Sequence, residues 1–483
     1  MKLAPALLST LAGLVVVSPV LALPAEPERR SGAVEQLECD VAILGGGAAG
    51  AYAAVRLRDM GNKVIVIEKK SHLGGHVDTY SPPGSPVALD YGVIAYLELP
   101  GVREFFGRFG IDLISASSPN YTEALVDFDT GAPITSGNTV NAGLNATATA
   151  IALGTYAQLA AEYANYTFPS LIQLPAAPAF PPDLALPFGD FVQKYSLQAA
   201  VPTISQFVNY VGDVLAEPTA YIMTLFGAVQ LNATANGGLL IPTTYNNSVL
   251  YERIAEQLGP DVLFSSTLTG AKRNGTTVEL TVSADNCTKN ISAKRLLVTA
   301  PPLANILAPL SLDAYEESIF SQWRYQSAYV GVLANTGLPD NLEILNAAPD
   351  SSPDVLNLPG SDGSSYVASF TYSEFPGLYR TSVIGSPSLS SSGAKALVTD
   401  ALAHVAGNAS AQAQFVAFAS HTPLEVRATA QGISSGFYQQ AFGLNGHLNT
   451  FYTGAAWAGD WTSVQWLYLE EVILPLIAQS LQS

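Results

Sequence analysis

The sequence predicts an α/β protein in which a Rossmann-type dinucleotide-binding domain carries an inserted α+β domain. Three observations predict it. An apolar strand runs into Gly45-Gly46-Gly47-Ala48-Ala49-Gly50 and a helix; a second apolar strand ends in Glu68; and between residues 100 and 244 the pattern changes to helical stretches broken by proline. At 483 residues the chain exceeds the roughly 250–300 at which a single core stops growing, so two domains are expected.

In chain order, Met1-Lys2 precedes an apolar run from Leu3 to Ala22, broken by Ser18-Pro19 before Val20-Leu21-Ala22. A charged start, an apolar core and a small terminal residue have the form of a cleaved signal peptide over 1–22. The run before Ser18 is short of the ~20 residues of a membrane span, so no stable membrane anchor is expected. Residues 23–35, rich in proline and charge, read as a leader. Cys39–Leu44 reads as a strand, Ala48–Met60 as a helix and Lys63–Glu68 as a second strand: one βαβ unit with a right-handed crossover. Prolines 169, 175, 178, 181, 182 and 187 keep the next region from long regular structure. A helix resumes at Tyr245–Leu258. Strands follow over Val262–Lys272, Thr277–Ala284 and Ala293–Thr299, with Asn274-Gly275 as a hairpin turn. A strand at Thr450–Gly454 and a helix from Thr462 to Leu481, kinked or shortened by Pro475, close the chain. The dinucleotide-binding domain is thus assigned to 36–99, 245–305 and 445–483, and a substrate domain to 100–244 and 306–444.

Composition narrows the function. Apolar residues make up 48% and charged residues 12%, and the net charge is −18, a field that repels nucleic acid. Sequons begin at Asn120, Asn145, Asn165, Asn232, Asn246, Asn274, Asn286, Asn290 and Asn408. Together with the signal peptide they point to the secretory pathway or the extracellular space. Cys39 and Cys287 are the two cysteines; a structural disulfide and two inert thiols are equally open. Neither sits in a metal-binding spacing, so no metal site is expected.

The chemistry lies in the glycines. Gly45 permits a tight turn, Gly47 lets the backbone approach a pyrophosphate, and Gly50 allows close helix–strand packing, with Ala48 and Ala49 opening the helix whose amides face the phosphates. Glu68, about 20 residues on, is placed to accept hydrogen bonds from a ribose 2′-hydroxyl and to exclude a 2′-phosphate. Past it, Lys69, a further candidate cofactor contact, opens Lys69-Lys70-Ser71-His72-Leu73, which leads to Gly74-Gly75-His76. This second glycine pair resembles the glutathione-reductase-type flavoprotein signature, and so implies FAD rather than NAD. Leu268 stands where that superfamily clamps adenine through the backbone. The segment from Phe451 to Ser463 resembles the C-terminal flavin-binding stretch, with either Gly454 or Gly459-Asp460 as the flavin-contacting turn.

On these residues the chain resembles the flavin-containing amine oxidase superfamily. Within it, it is similar to the fungal beta-cyclopiazonate dehydrogenase family. Gly74-Gly75-His76, where amine oxidases place arginine after the glycines, and Tyr452-Thr453-Gly454-Ala455-Ala456-Trp457 carry the closer match. The resemblance implies a glutathione-reductase-type FAD domain with an amine-oxidase-like substrate domain. It also implies FAD-dependent oxidation of a small apolar secondary metabolite by hydride transfer to flavin N5, with ring closure in some members. Molecular oxygen is a candidate electron acceptor. The alternative is a secreted amine oxidase. Monoamine and polyamine types place a lysine near flavin N5, whereas no lysine occurs between Lys294 and Lys395 and Trp323-Arg324-Tyr325-Gln326 fills the stretch.

Five side chains admit two readings. His76 either contacts a phosphate in place of the arginine or attaches to the flavin 8α-carbon; its place beside the phosphates favours the first. Aromatics of this kind more often pack a core, but Tyr452 and Trp457, flanking the flavin segment, are candidates for an aromatic cage that orients substrate. His404 and His421 read as ordinary surface residues, with substrate-side bases as the alternative. His72 reads as an exposed loop residue.

Overall fold

A computed structural model describes residues 34–117, 121–134, 146–273, 275–284, 287–347 and 363–482. The signal peptide and nearly all of the leader lie outside the described residues. β1 (Glu35–Leu44), α1 (Ala48–Asp59) and β2 (Val64–Ile67) form the expected unit. β1 starts earlier than the sequence suggests, at the end of the leader, because Glu35–Cys39 pair with Lys289–Ala293 of a long neighbouring strand. β1 and β2 are parallel, in register from Val41↔Val64 to Leu44↔Ile67. Val41, Ile43, Val64 and Val66 are fully buried, which is why these strands read as continuous apolar runs rather than alternating ones. Helix α1 buries Ala51, Ala53 and Ala54, small residues that let it lie close on the sheet.

The organising strand is Cys287–Val298, longer at its start than the Ala293–Thr299 expected. β1 lines one edge of it in parallel. On the other edge, its first half pairs antiparallel with Val278–Ala284, and Leu296–Val298 pair in parallel with Thr450–Tyr452. The C-terminal segment is thereby carried to the side of the glycine turn. The expected strand Val262–Lys272 is two strands, Val262–Leu263 beside β2 and Ser266–Lys272 beside Val278–Ala284. Ser265 breaks it with a φ of 48°, and the amides of Ser265 and Ser266 bond to the carbonyls of Lys70 and Glu68.

The second sheet takes strands from the middle of the chain. It runs Gln414–Ser420, Arg324–Ala334, Leu378–Gly385, Tyr366–Tyr372, Leu342–Asn346 and Thr122–Val126. All neighbours are antiparallel except the last pair. Helix Ser391–Ala406 buries Ala394, Val398 and Leu402 over one face, against Phe370 and Val383. Helices between Ala146 and Ala235 lie in the proline-rich region, as its punctuation suggests.

The closing helix runs Thr462–Tyr468, widens into a π turn at Leu469–Ile473, and continues as Leu474–Gln482. Pro475 therefore does not end it; the wider turn just ahead gives slack around the residue that lacks an N–H. Cys39 and Cys287 are both free thiols. Cys39 stands opposite Ala293, about 20 Å along the strand from Cys287, which rules out a disulfide between them.

Candidate active site

The glycine turn is dictated by space. Gly45 has a φ of +106°, and a Cβ there would stand 2.7 Å from Thr299 Oγ1. A Cβ on Gly50 would meet the Gly45 carbonyl oxygen at 1.9 Å. Gly46 is crowded by side chains only, with Leu73 Cδ2 at 2.4 Å and Glu68 Cβ at 3.2 Å from an added Cβ. Gly47 differs. Its nearest neighbour would be Gly75 Cα at 3.6 Å, so nothing within the fold demands glycine there. Its freedom suits close approach by a pyrophosphate. No side chain caps α1, so the amides at Ala48 and Ala49 stand at the positive end of the helix.

The neighbouring residues complete a cradle. Gly74 N–H donates to the Gly46 carbonyl at 2.9 Å, and Gly75, at a φ of +63°, lies against Gly47. Glu68 is 6% exposed. Its Oε2 accepts from Gly46 N–H at 2.6 Å and its Oε1 from Lys70 N–H at 2.7 Å. Both oxygens keep a lone pair for ribose hydroxyls. Lys70, rather than the exposed Lys69, braces the loop, with Nζ 2.7 Å from the Gly75 carbonyl. Leu268 is buried two residues after Ser266, which bonds to Glu68, so its strand begins at the rim of the cradle.

The C-terminal segment converges on the same place. A Cβ on Gly454, at a φ of +107°, would lie 3.2 Å from the Thr299 carbonyl, and Thr299 Oγ1 bonds to the Gly45 carbonyl. Gly459 and Asp460 lie further on, Gly459 against Leu225. Thr453 Oγ1 and Ser463 Oγ are buried with no protein partner. Orphaned hydroxyls on both turns fit a polar group of a bound cofactor, and with the glycine cradle they fit FAD.

His76 and Asp78 connect the cradle to a second cavity. Gly92 packs so closely that a Cβ would stand 2.1 Å from the His76 carbonyl, and Val93 N–H donates to that carbonyl. Tyr91 and Gly92 then form one wall of a cavity of about 360 Å³. The opposite wall is the second sheet; Ser205, Asn209 and Tyr210 close the side. Two rows of side chains cross the sheet wall. One is Arg380, Thr371, Glu343 and Glu123, paired strand to strand; the other runs Val330, Ser382, Ser369, Leu345 and Leu125. The wall is polar, which sequence patterning does not reveal because the register that aligns these residues is long-range.

Behind Tyr210 lies a buried acidic pair. Glu425, at a φ of +51°, and Asp460 are hydrogen-bonded to each other, and the Tyr221 hydroxyl also bonds to Glu425. Burial raises both carboxyls, and the charge of Asp460 raises Glu425 further. Arg427 stands beside them, held bidentate by Glu217 at 2.6 and 2.8 Å. Tyr210 is pushed up to about 12 by burial and feels the charges of Asp460 and Glu425.

Several expectations change. Tyr452 has no exposure, and its hydroxyl donates to Glu316 Oε1 at 2.7 Å, inside the buried Arg273–Glu316 ion pair. Trp457 is 2% exposed and packs on Trp323 and Tyr452. Neither lines the cavity described above: both are buried in the core beside the C-terminal segment. His421 is not a surface residue. It is 4% exposed, stacks on His76 and bonds to Asp78. His404 is exposed and meets only the Phe128 carbonyl. Among the sequons, Asn165, Asn232 and Asn408 are exposed, Asn246 and Asn290 are half-buried, and Asn120, Asn145, Asn274 and Asn286 lie outside the described residues. Among the described residues no group of His, Cys, Asp or Glu could hold a metal, and no helix is long and apolar enough to cross a membrane.

Comparison with known proteins agrees with this geometry. Residues 43–109 match the NAD(P)-binding Rossmann-like domain family. The chain is 35% identical to the FAD-dependent oxidoreductase pigF of Monascus ruber, over 90% of this chain and 91% of that one. It is 32% identical to beta-cyclopiazonate dehydrogenase of Aspergillus oryzae, over 90% and 92%. Among solved structures, the CLA-producing fatty acid isomerase of P. acnes superposes with a TM-score of 0.71 at 19% identity, covering 90% of this chain and 98% of that one. Putrescine oxidase bound to putrescine superposes at 0.60 and 16%, covering 92% and 98%. These two show the fold alone, and that fold is amine-oxidase-like. On its sequence relatives and its glycine cradle, the chain belongs to the family of FAD-dependent oxidoreductases that includes beta-cyclopiazonate dehydrogenase.

Proposed function

We propose that this oxidoreductase removes a hydride from a small secondary metabolite held in the cavity beside Gly92. The supporting observation is that the cavity shares Tyr91 and Gly92 with the loop that continues from Gly74-Gly75, so a substrate there lies next to the cofactor cradle. Its volume is within the roughly 300–1,000 Å³ range of small-molecule sites. Bound FAD supplies the hydride acceptor at N5. The protein's part is to orient the substrate against that atom and to keep water out, which is where proximity contributes to rate. Tyr210 borders the cavity and the Glu425–Asp460 pair lies behind it, an arrangement suited to taking up the proton released with the hydride. The polar sheet wall favours a metabolite with hydrogen-bonding groups over a purely apolar one.

Cyclisation of the oxidised product, molecular oxygen as acceptor and passage through the secretory pathway belong to the same reading. The last is supported by exposed sequon asparagines, and a mass shift on treatment with an N-glycosidase tests it. The central test mixes purified yellow protein with fungal metabolites under anaerobic conditions and follows flavin absorbance. Bleaching by a metabolite, without bleaching or hydrogen peroxide from simple amines, is the expected result. Rapid peroxide release with simple amines would favour amine oxidation instead.

A further inference from the structure

Arg273 and Arg427 are buried and Arg380 is half-buried, and their partners differ. Arg273 is held by Glu316 through two hydrogen bonds of 2.6 Å, and Arg427 by Glu217. Arg380 is in the cavity wall and has no such partner: among the described residues no carboxylate lies within ion-pair distance of it. Its Nε donates to the Asp90 carbonyl at 2.8 Å and Tyr121 contacts it by a hydrogen bond. Asp90 and Glu374 act on it only at longer range. A guanidinium has five N–H donors in a planar fork that matches a carboxylate. A cation drawn out of water without a counter-ion is costly, and an anion entering the cavity would offset that cost.

The rest of the row gives a direction. Thr371 neighbours Arg380 across the sheet and Glu343 neighbours Thr371, so Glu343 is two strands, or about 10 Å, away. Thr371 Oγ1 donates to Glu343 Oε1 at 3.0 Å, which turns that carboxyl toward the same wall. The cavity is therefore positive at one end and acidic at the other, and a molecule with its acidic group at the Glu343 end would meet repulsion.

We propose that the substrate is an organic acid whose carboxylate or enolate pairs with Arg380. This rests on the reading of the cavity as the substrate site of an FAD-dependent oxidoreductase. The test uses the FAD-loaded protein and two isosteric probes, benzoate and benzamide, titrated calorimetrically into wild type, Arg380→Gln and Arg380→Lys. The flavin-to-protein ratio is measured on each. Wild type should bind benzoate at least tenfold tighter than benzamide; Arg380→Gln should abolish the preference and Arg380→Lys restore part of it. Equal affinities in wild type, no benzoate binding, or a preference that survives Arg380→Gln would overturn the proposal. The wild-type comparison stands even if a variant does not fold. Full flavin content with no preference for the anion removes only the acid assignment, whereas failure to take up flavin removes the reading beneath it.

Discussion

His76 and His421 stack with ring centroids 4.4 Å apart and planes within 16°, and His421 Nε2 lies 2.9 Å from Asp78 Oδ2. The contact joins the loop after Gly74-Gly75 to a residue more than 300 positions away, and it divides the two imidazoles' roles. His421 has the carboxylate. His76 has none, and burial, then the charges of His421, Lys70 and Lys69, holds it well below the ordinary histidine value.

His76 should therefore stay neutral as the pH is lowered from 8 to 5, which histidine-labelled NMR spectra would show. The sign for stability follows. The unfolded chain binds a proton at about 6.5 and the native His76 does not, so this group's contribution is present above that value and is lost as pH falls below it. His76 follows the glycine pair packed on Gly47, so with FAD on this turn as proposed it stands on the phosphate side of the cradle. Acid precipitation should release the flavin into the supernatant; colour kept in the pellet would mean that His76 or another residue is bonded to it.

The Glu425–Asp460 pair carries the opposite sign. Both carboxyls are raised by burial, so the native state binds more protons than the unfolded one. Their contribution is full below about pH 4 and is lost as pH rises through the native values. Glu425→Gln should gain stability over wild type as pH increases from 5 to 8, reaching a Tm difference of roughly 2 °C. A gap that does not change with pH would contradict the raised carboxyls.

Tyr452→Phe separates structure from catalysis. Loss of the hydroxyl from the Arg273–Glu316 pair should cost about 1 kcal/mol in urea denaturation, since Glu316 Oε1 keeps Arg273 but loses the second of its two buried donors. Flavin reduction by a metabolite substrate should be unchanged. A collapse in reduction rate with stability intact would return Tyr452 to the substrate side.

These cases show which parts of the molecule were readable from sequence. The β1-α1-β2 unit was legible because its signals are local: continuous apolar runs, glycines at a turn that needs positive φ, and an acid at the next strand end. Glu68, Gly74 and Gly75 follow from the same logic and lie together in the cradle. The polar cavity wall was not legible. Arg380, Thr371 and Glu343 meet only through the register of separate strands, and no local pattern announces that pairing. His421 was misjudged, and Tyr452 left with two readings, for a related reason. An aromatic or histidine looks alike in sequence whether its partner is solvent, substrate or a buried carboxylate such as Glu316 or Asp78.

The most direct test of the account is the flavin content of Gly47→Ala. In the fold the nearest atom to the added methyl is Gly75 Cα at 3.6 Å, and Gly47 has a φ of −69°, so alanine fits without strain. The variant should fold with stability within about 1 kcal/mol of wild type when both are free of cofactor. Its methyl, however, would occupy the space where the pyrophosphate approaches the backbone, so the purified protein should be nearly colourless and bind added FAD far more weakly. A Gly47→Ala protein that keeps one flavin per chain, as tightly as wild type, would contradict the placement of FAD on this turn.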